Sequence, residues 1–311
     1  MQNRANIDEL LQQSCDRGEI PGAVAIAANS TEVLYEGAFG RRDLSKPQPM
    51  TADRVFWIAS MTKAITSAAA MQLVEQGKLS LDEPIGKVLP DLAEPLVLDG
   101  FDAGGNPITR PANAPITLRQ LLTHTAGFCY DMWNGDMVKY MERYDIPGVL
   151  RCREAALKVP IMFDPGARWE YGISIDFVGR VVEAASGERL DAYLRDHVLD
   201  PLGMTDTGFR ITDAQRERLV AVHSRGADGT LAPISFEVDQ EPEFIMGGGG
   251  LYGTAADYLK FTQMILNKGR GNGNQVLNPE TVALMGQNHI GDLNVTRLNS
   301  VNPFATTDVH L

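Results

Sequence analysis

Apolar positions along the chain recur with two different periods, and each period marks an element. Ile7, Leu10, Leu11 and Cys15 repeat at helical spacing and stop at Gly18, which predicts a helix over 7–17. The apolar run 23–28, the turn residues Asn29-Ser30-Thr31 and the segment 32–36 read as a β-hairpin. Residues 64–74 carry no charge, and only Thr66, Ser67 and Gln72 are polar. A helix apolar almost all round is a buried helix, and Gly77 is placed to end it. Ile175, Val178, Val181, Val182 and Ala185 give an inward face to a helix over 174–186, closed by Gly187. Residues 190–199 predict another helix, and Thr254 is placed to cap one running to about Asn267. Residues 220–223 and 230–233 read as a strand pair around Ala227-Asp228-Gly229.

Other stretches lack a clean period. Pro84, Pro90, Pro95, Pro107, Pro111 and Pro115 predict short pieces and loops. Residues 118–123 look like a helix end closed by Gly127. Aromatic and charged residues mix over 128–157, which fits a cap over a pocket or a helix face packed on the core. The run Gly247-Gly248-Gly249-Gly250 lacks the Gly-Lys-Ser/Thr of a phosphate loop and reads as backbone passing tightly beside a pocket or sheet. Beyond Leu284 the chain is polar and loop-like.

Composition narrows the class. The chain has 311 residues, 44% hydrophobic and 22% charged, which is material for a large soluble core in one large or two interleaved domains. A formal net charge of −12 argues against nucleic acid or an anionic membrane as partner. Cys15, Cys129 and Cys152 are odd in number and widely spaced, so free thiols are expected rather than disulfides or a zinc site. His124, His197, His223, His289 and His310 show no metal-ligand spacing, and no metal or cofactor is expected. The first residues lack the apolar core of a signal peptide and no run reaches membrane-spanning length, so the expected location is cytoplasmic.

The chemistry starts at Ser60 and Lys63. Three residues apart on a helix, their side chains share one face. A serine hydroxyl becomes a strong nucleophile when a neighbouring base takes its proton, and a lysine amine serves as that base when burial or a nearby positive charge lowers its pKa. The buried helix that follows supplies an apolar surround. Its N-terminal end favours the negative oxygen of acyl transfer. Alone, Ser-x-x-Lys is a weak signal, matched about once by chance in a chain of this length, and a helix cap beside a solvated lysine is the plain alternative. Its place after the strand-like 54–58 and before the buried helix strengthens it.

Further motifs follow in order. Ser60-Met61-Thr62-Lys63, Gly77-Lys78-Leu79-Ser80-Leu81-Asp82, Leu121-Leu122-Thr123-His124-Thr125-Ala126-Gly127, Tyr171-Gly172-Ile173 and the 247–254 stretch occur together. In this order they resemble the serine β-lactamase-like hydrolases, nearest to family VIII carboxylesterases and class C β-lactamases, over nearly the whole chain. The resemblance implies a mixed α and β, β-lactamase/transpeptidase-like fold: an antiparallel sheet flanked by helices plus an inserted, mostly helical domain. It implies an α/β domain of residues 1–82 and 221–311 and a helical domain of 83–220. It further implies that Ser60 is the acylated nucleophile, Lys63 its partner, and Tyr171 the phenol beside both. Tyr130 and Trp133 fall where related enzymes line the acyl pocket. His124 is expected to be a structural, hydrogen-bonding residue, and Asp164 and Glu170 are read as loop carboxylates rather than an acid pair.

Two departures shape the expected function. Ile173 stands where the Tyr-x-Asn motif has its amide, which favours an esterase over a lactamase. No Lys-Thr-Gly-like strand follows Gly286, so the sheet is expected to lack C-terminal strands and a second oxyanion donor. The expected function is a serine hydrolase of short-chain or aryl carboxylic esters. A β-lactamase, penicillin-binding peptidase or acyltransferase on the same site is the alternative, and a truncated, non-catalytic or partner-dependent fragment is a third. The expected partner is a small-molecule ester, with no nucleic acid and no membrane; a homo-oligomer is left open.

Overall fold

The computed structural model describes residues 2–295 and 297–301. Its elements run α1 (Gln2–Asp16), β1 (Gly22–Ala28), β2 (Val33–Gly40), β3 (Phe56–Trp57) and α2 (Thr62–Glu75), then β4 (Leu96–Phe101), β5 (Pro107–Pro111), α3 (Leu118–Leu122) and α4 (Gly135–Tyr144). They continue with α5 (Ser174–Ser186), α6 (Leu190–Leu194), α7 (Asp200–Leu202), α8 (Asp213–Arg216), β6 (Val222–Arg225) and β7 (Leu231–Ile234). The last are β8 (Tyr252–Gly253), α9 (Ala255–Leu266), β9 (Arg270–Gly271), β10 (Asn274–Gln275) and α10 (Pro279–Met285).

The chain groups into two compact units. One contains the chain up to Ala59, Arg195–Gln240 and Gly250–Val282. Its centre is the antiparallel hairpin β1–β2, with Val24 opposite Ala38 and Ile26 opposite Glu36. Helix α1 packs on β2 and α9 on β1, so the hairpin is flanked by helices. The Tyr35 hydroxyl donates to Asp8 of α1 at 2.7 Å. Among the described residues β1 and β2 pair only with each other. The short strand β3 pairs antiparallel with β8, Phe56 opposite Gly253. The expected strand pair near residue 222 is present as β6–β7, with Val222 opposite Ile234.

The other unit contains Ser60–Leu194, Glu241–Gly249 and the segment from Ala283. Its core is α2 against α5 and α6, with α3 also on α5. Ile65, Ala68, Ala69, Leu73, Val178, Val181 and Val182 are fully buried there. Each such aliphatic side chain larger than alanine contributes about 1.5–3 kcal/mol on leaving water. Helix α2 ends as its sequence requires, Gly77 following with φ of 69°.

The division falls elsewhere than the expected domains of 1–82 and 221–311 against 83–220. Helix α2 stands with α5 because its apolar surface is buried there, which moves the first break from Asp82 to Ser60. The proline-marked stretch also holds a hairpin, β4–β5, rather than loops alone. Pro107 and Pro111 sit at the two ends of β5, where a missing N–H is tolerated. Asp102 shapes its turn by accepting from the N–H groups of Gly104 and Asn106, each at 2.8 Å. The segment expected as one helix over 190–199 is α6 followed by a π turn over Arg195–Leu199.

Candidate active site

Ser60 lies in a 3₁₀ turn, Ala59–Met61, that leads into α2. Ala59 has φ of 45°, a left-handed conformation that costs a non-glycine residue about 1–2 kcal/mol. Lys63 follows in the first turn of α2, so its side chain reaches back to Ser60: Nζ to Oγ is 3.0 Å. The Tyr171 hydroxyl comes from the segment just before α5 and stands 2.7 Å from the same Oγ. The three side chains named from the sequence therefore converge on one hydroxyl, and Ser60 is solvent-exposed.

Lys63 has two further partners. Its Nζ is 2.6 Å from the Gly248 carbonyl oxygen and 3.1 Å from the Tyr130 hydroxyl. Tyr130 was expected as a pocket-lining residue; the structure gives its hydroxyl a hydrogen bond to the lysine. A carbonyl can only accept, so one Lys63 N–H is committed to Gly248. A neutral amine then has one N–H for Tyr130 and a lone pair for the Ser60 proton. An ammonium instead donates to Gly248, Tyr130 and Ser60, and the Ser60 proton turns to a Tyr171 phenolate. Both arrangements keep the four contacts around Lys63 and Ser60 and differ by one net proton shift within the pair.

Aromatic rings surround this cluster. Tyr171 lies 5.3 Å from Tyr130, 5.7 Å from Trp133 and 4.9 Å from His124, centroid to centroid. Lys63 Nζ is 4.8 Å from the Tyr171 ring centroid, within cation–π range. Trp133 is held in the 3₁₀ turn Asp131–Trp133, half-buried against Tyr130. Burial, with Asp176, Tyr171 and Asp131 nearby, pushes the Tyr130 phenol well above its ordinary value, so it stays protonated.

His124 is buried, and burial followed by the Lys63 charge lowers its pKa to about 3. It is neutral at physiological pH. Its Nδ1 has no hydrogen-bond partner among the described residues, and its ring packs on Tyr171. Its backbone takes φ of 57° and its carbonyl accepts the Glu170 N–H at 3.0 Å. Asp164 pairs with Arg110 and Glu170 with Arg168, so the two carboxylates serve different arginines and form no acid pair.

The glycine run explains itself at this site. The Gly248 N–H donates to Asp176 Oδ1 at 2.8 Å, and Thr66 Oγ1 donates to the Gly247 carbonyl at 2.8 Å. A Cβ on Gly248 would lie 2.5 Å from Asp176 Oδ2, which only glycine avoids. Sequence reading missed Thr66, Asp176 and the Gly248 carbonyl. One signal was available: Asp176 is a carboxylate between Ile175 and Phe177 on a helix predicted to turn an apolar face inward.

A family model described as Beta-lactamase matches residues 5–297. The chain belongs to the Beta-lactamase family. Its fold is the β-lactamase/transpeptidase-like one, mixed helices and strands, as the ordered motifs led one to expect. Lovastatin esterase of Penicillium rubens is 35% identical over 295 residues, covering 92% of this chain and 73% of the esterase. Monacolin J acid methylbutanoyltransferase of Aspergillus terreus is 35% identical over 282 residues, covering 86% of this chain and 67% of the transferase. A solved structure of simvastatin synthase from Aspergillus terreus, the LovD6 mutant, superposes with a TM-score of 0.83 at 32% identity, covering 92% of this chain and 72% of that one. This Beta-lactamase family chain thus has esterases and acyltransferases among its relatives. No helix among its described residues is long and apolar enough to cross a membrane.

Proposed function

We propose that this Beta-lactamase family protein is a serine hydrolase that cleaves short-chain or aryl carboxylic esters through an acyl-Ser60 intermediate. The observation that carries the reading is Ser60 Oγ standing between Lys63 Nζ at 3.0 Å and Tyr171 OH at 2.7 Å. Ser60 Oγ attacks the ester carbonyl carbon while its proton passes to the Lys63–Tyr171 pair. The tetrahedral intermediate collapses, the C–O bond breaks, and the alkoxide leaves with that proton. Water then attacks acyl-Ser60, gives a proton to the same pair and releases the acid, and the pair returns the proton to Ser60. Ser60 lies just before the positive N-terminal end of α2, which favours negative charge developing beside it. Tyr130, Trp133 and Tyr171 offer apolar ring faces to an acyl or aryl group.

Ile173 supports ester over lactam. It is buried and stands where the family motif has a side-chain amide, so no such amide is available to hold a lactam's side chain. A second reading, acyl transfer to an alcohol in place of water, is supported by the transferase relatives. It shares the acyl-Ser60 step and differs in the acceptor.

Incubation with an aryl ester, with and without an added alcohol, separates hydrolysis from transfer by product analysis. Free acid as the main product supports the hydrolase, and ester of the added alcohol supports the transferase. Nitrocefin turnover with inert esters would contradict the ester reading.

A further inference from the structure

We infer that Asp176 is a positioning residue for Lys63, acting through the peptide of Gly248. The inference rests on the acyl-Ser60 reading and extends it beyond the three side chains that meet at the hydroxyl.

The chain of contacts is short. Asp176 Oδ1 accepts the Gly248 N–H at 2.8 Å, and the carbonyl of the same glycine accepts from Lys63 Nζ at 2.6 Å. Of the three atoms around Nζ, the Gly248 oxygen is the one that cannot donate. It therefore decides which way one N–H points and leaves the remaining positions of the nitrogen facing Ser60 and Tyr130. A glycine peptide left to itself adopts many orientations, so the carbonyl needs an anchor. Asp176 provides it from α5, and Thr66, one turn after Lys63 on α2, provides a second by holding the Gly247 carbonyl at 2.8 Å.

Asp176 is fully buried, and its Oδ2 has no hydrogen-bond partner among the described residues. A buried carboxylate with one of its two oxygens unpartnered is a costly way to satisfy one backbone N–H. An apolar residue with the loop repacked would serve folding alone. The fit between Asp176 and Gly248 is specific, since any Cβ at 248 would collide with the carboxylate.

The test compares Asp176→Leu, which keeps the branched shape in a bulkier side chain without oxygens, with Asp176→Asn, whose amide oxygen can still accept the Gly248 N–H. Both are measured for aryl-ester kcat and KM per phosphonate-titrated site, alongside thermal unfolding. The expected result is a loss of about 10²-fold in kcat for Leu with KM little changed, and a loss of no more than about fivefold for Asn. Leu turning over like the wild type would overturn the inference, and so would Asn losing as much as Leu. Should Asp176→Leu fail to fold, Thr66→Val releases the neighbouring carbonyl. A loss of about fivefold in its kcat supports the clamp, and an unchanged kcat overturns it. Wild type that turns over no ester and takes no phosphonate would instead remove the acyl-Ser60 reading itself.

Discussion

Two buried aspartates, Asp257 and Asp176, show what this chain does with a charge in each of its units. Asp257 lies in the first turn of α9 and spends both oxygens: Oδ2 accepts the Asp206 N–H at 2.8 Å and the Thr207 hydroxyl at 3.1 Å, and Oδ1 pairs with Lys260 at 2.8 Å. Asp176 uses one oxygen on a single N–H and sits near a lysine without pairing to it. Burial raises its pKa to about 6 against the opposing pull of Lys63 and the Gly248 N–H. The saturated carboxylate ties a helix start to a loop. The half-satisfied one keeps a backbone carbonyl aimed at Lys63, whose remaining bonds stay with Ser60 and Tyr130. Stability accounts for the first arrangement, and the chemistry proposed at Ser60 gives the second a purpose.

The comparison breaks most visibly at the hydroxyl. Ser60→Ala should lower ester turnover by about 10⁴-fold or more, and Lys63→Met by about 10²–10⁴-fold, with thermal unfolding near the wild type in both. Loss of folding in Ser60→Ala would mean that the site is a structural network after all.

His124 sharpens the contrast through pH. Its folded pKa of about 3 lies below the ordinary histidine value of about 6.5. The stability it contributes is present above pH ~6.5 and is lost as pH falls toward 3, up to about 5 kcal/mol in all. His124→Asn, which tolerates the left-handed backbone, should flatten that acid limb in denaturant titrations. An unchanged limb would place the acid sensitivity in other groups.

Asp257→Ala should cost about 2–4 kcal/mol of stability, because it takes a charged acceptor from the part-buried Asp206 N–H and Thr207 hydroxyl and leaves Lys260 with the Gly203 carbonyl alone. Turnover per phosphonate-titrated site should stay near the wild type. A turnover loss as deep as that of Lys63→Met would erase the distinction between the two aspartates.

The smallest effect falls on Asp176. Its raised pKa means that the folded state holds the proton more tightly, so this group's contribution to stability declines as pH rises from about 4 through 6. Asp176→Asn should gain on the wild type by about 1–3 kcal/mol between pH 4 and 7. A stability difference that stays flat with pH would show that Asp176 does not titrate in that window.

How far the sequence reaches follows the same contrast. The meeting of Ser60, Lys63 and Tyr171 was readable because it depends on residue type and order, and the ordered motifs supply both. The helices at 62–75 and 174–186 were readable because an uncharged run and a one-sided apolar face need tertiary burial to exist. Tyr130 was named as a pocket residue without its hydrogen bond to Lys63, since nothing local tells that a ring's hydroxyl reaches a lysine. The Gly248 carbonyl was out of reach because backbone orientation leaves no residue-type signature. The β4–β5 hairpin was hidden by prolines that its ends accept.

The acyl-Ser60 claim is tested most directly by labelling with an aryl phosphonate and mapping the tryptic peptide 55–63, in which Ser60 is the one serine. The account predicts that the phosphonyl mass appears on that peptide at Ser60 and that ester turnover falls in proportion to labelling. Ester turnover that survives full exposure to the phosphonate, or an adduct on any other residue with peptide 55–63 unmodified, would contradict it.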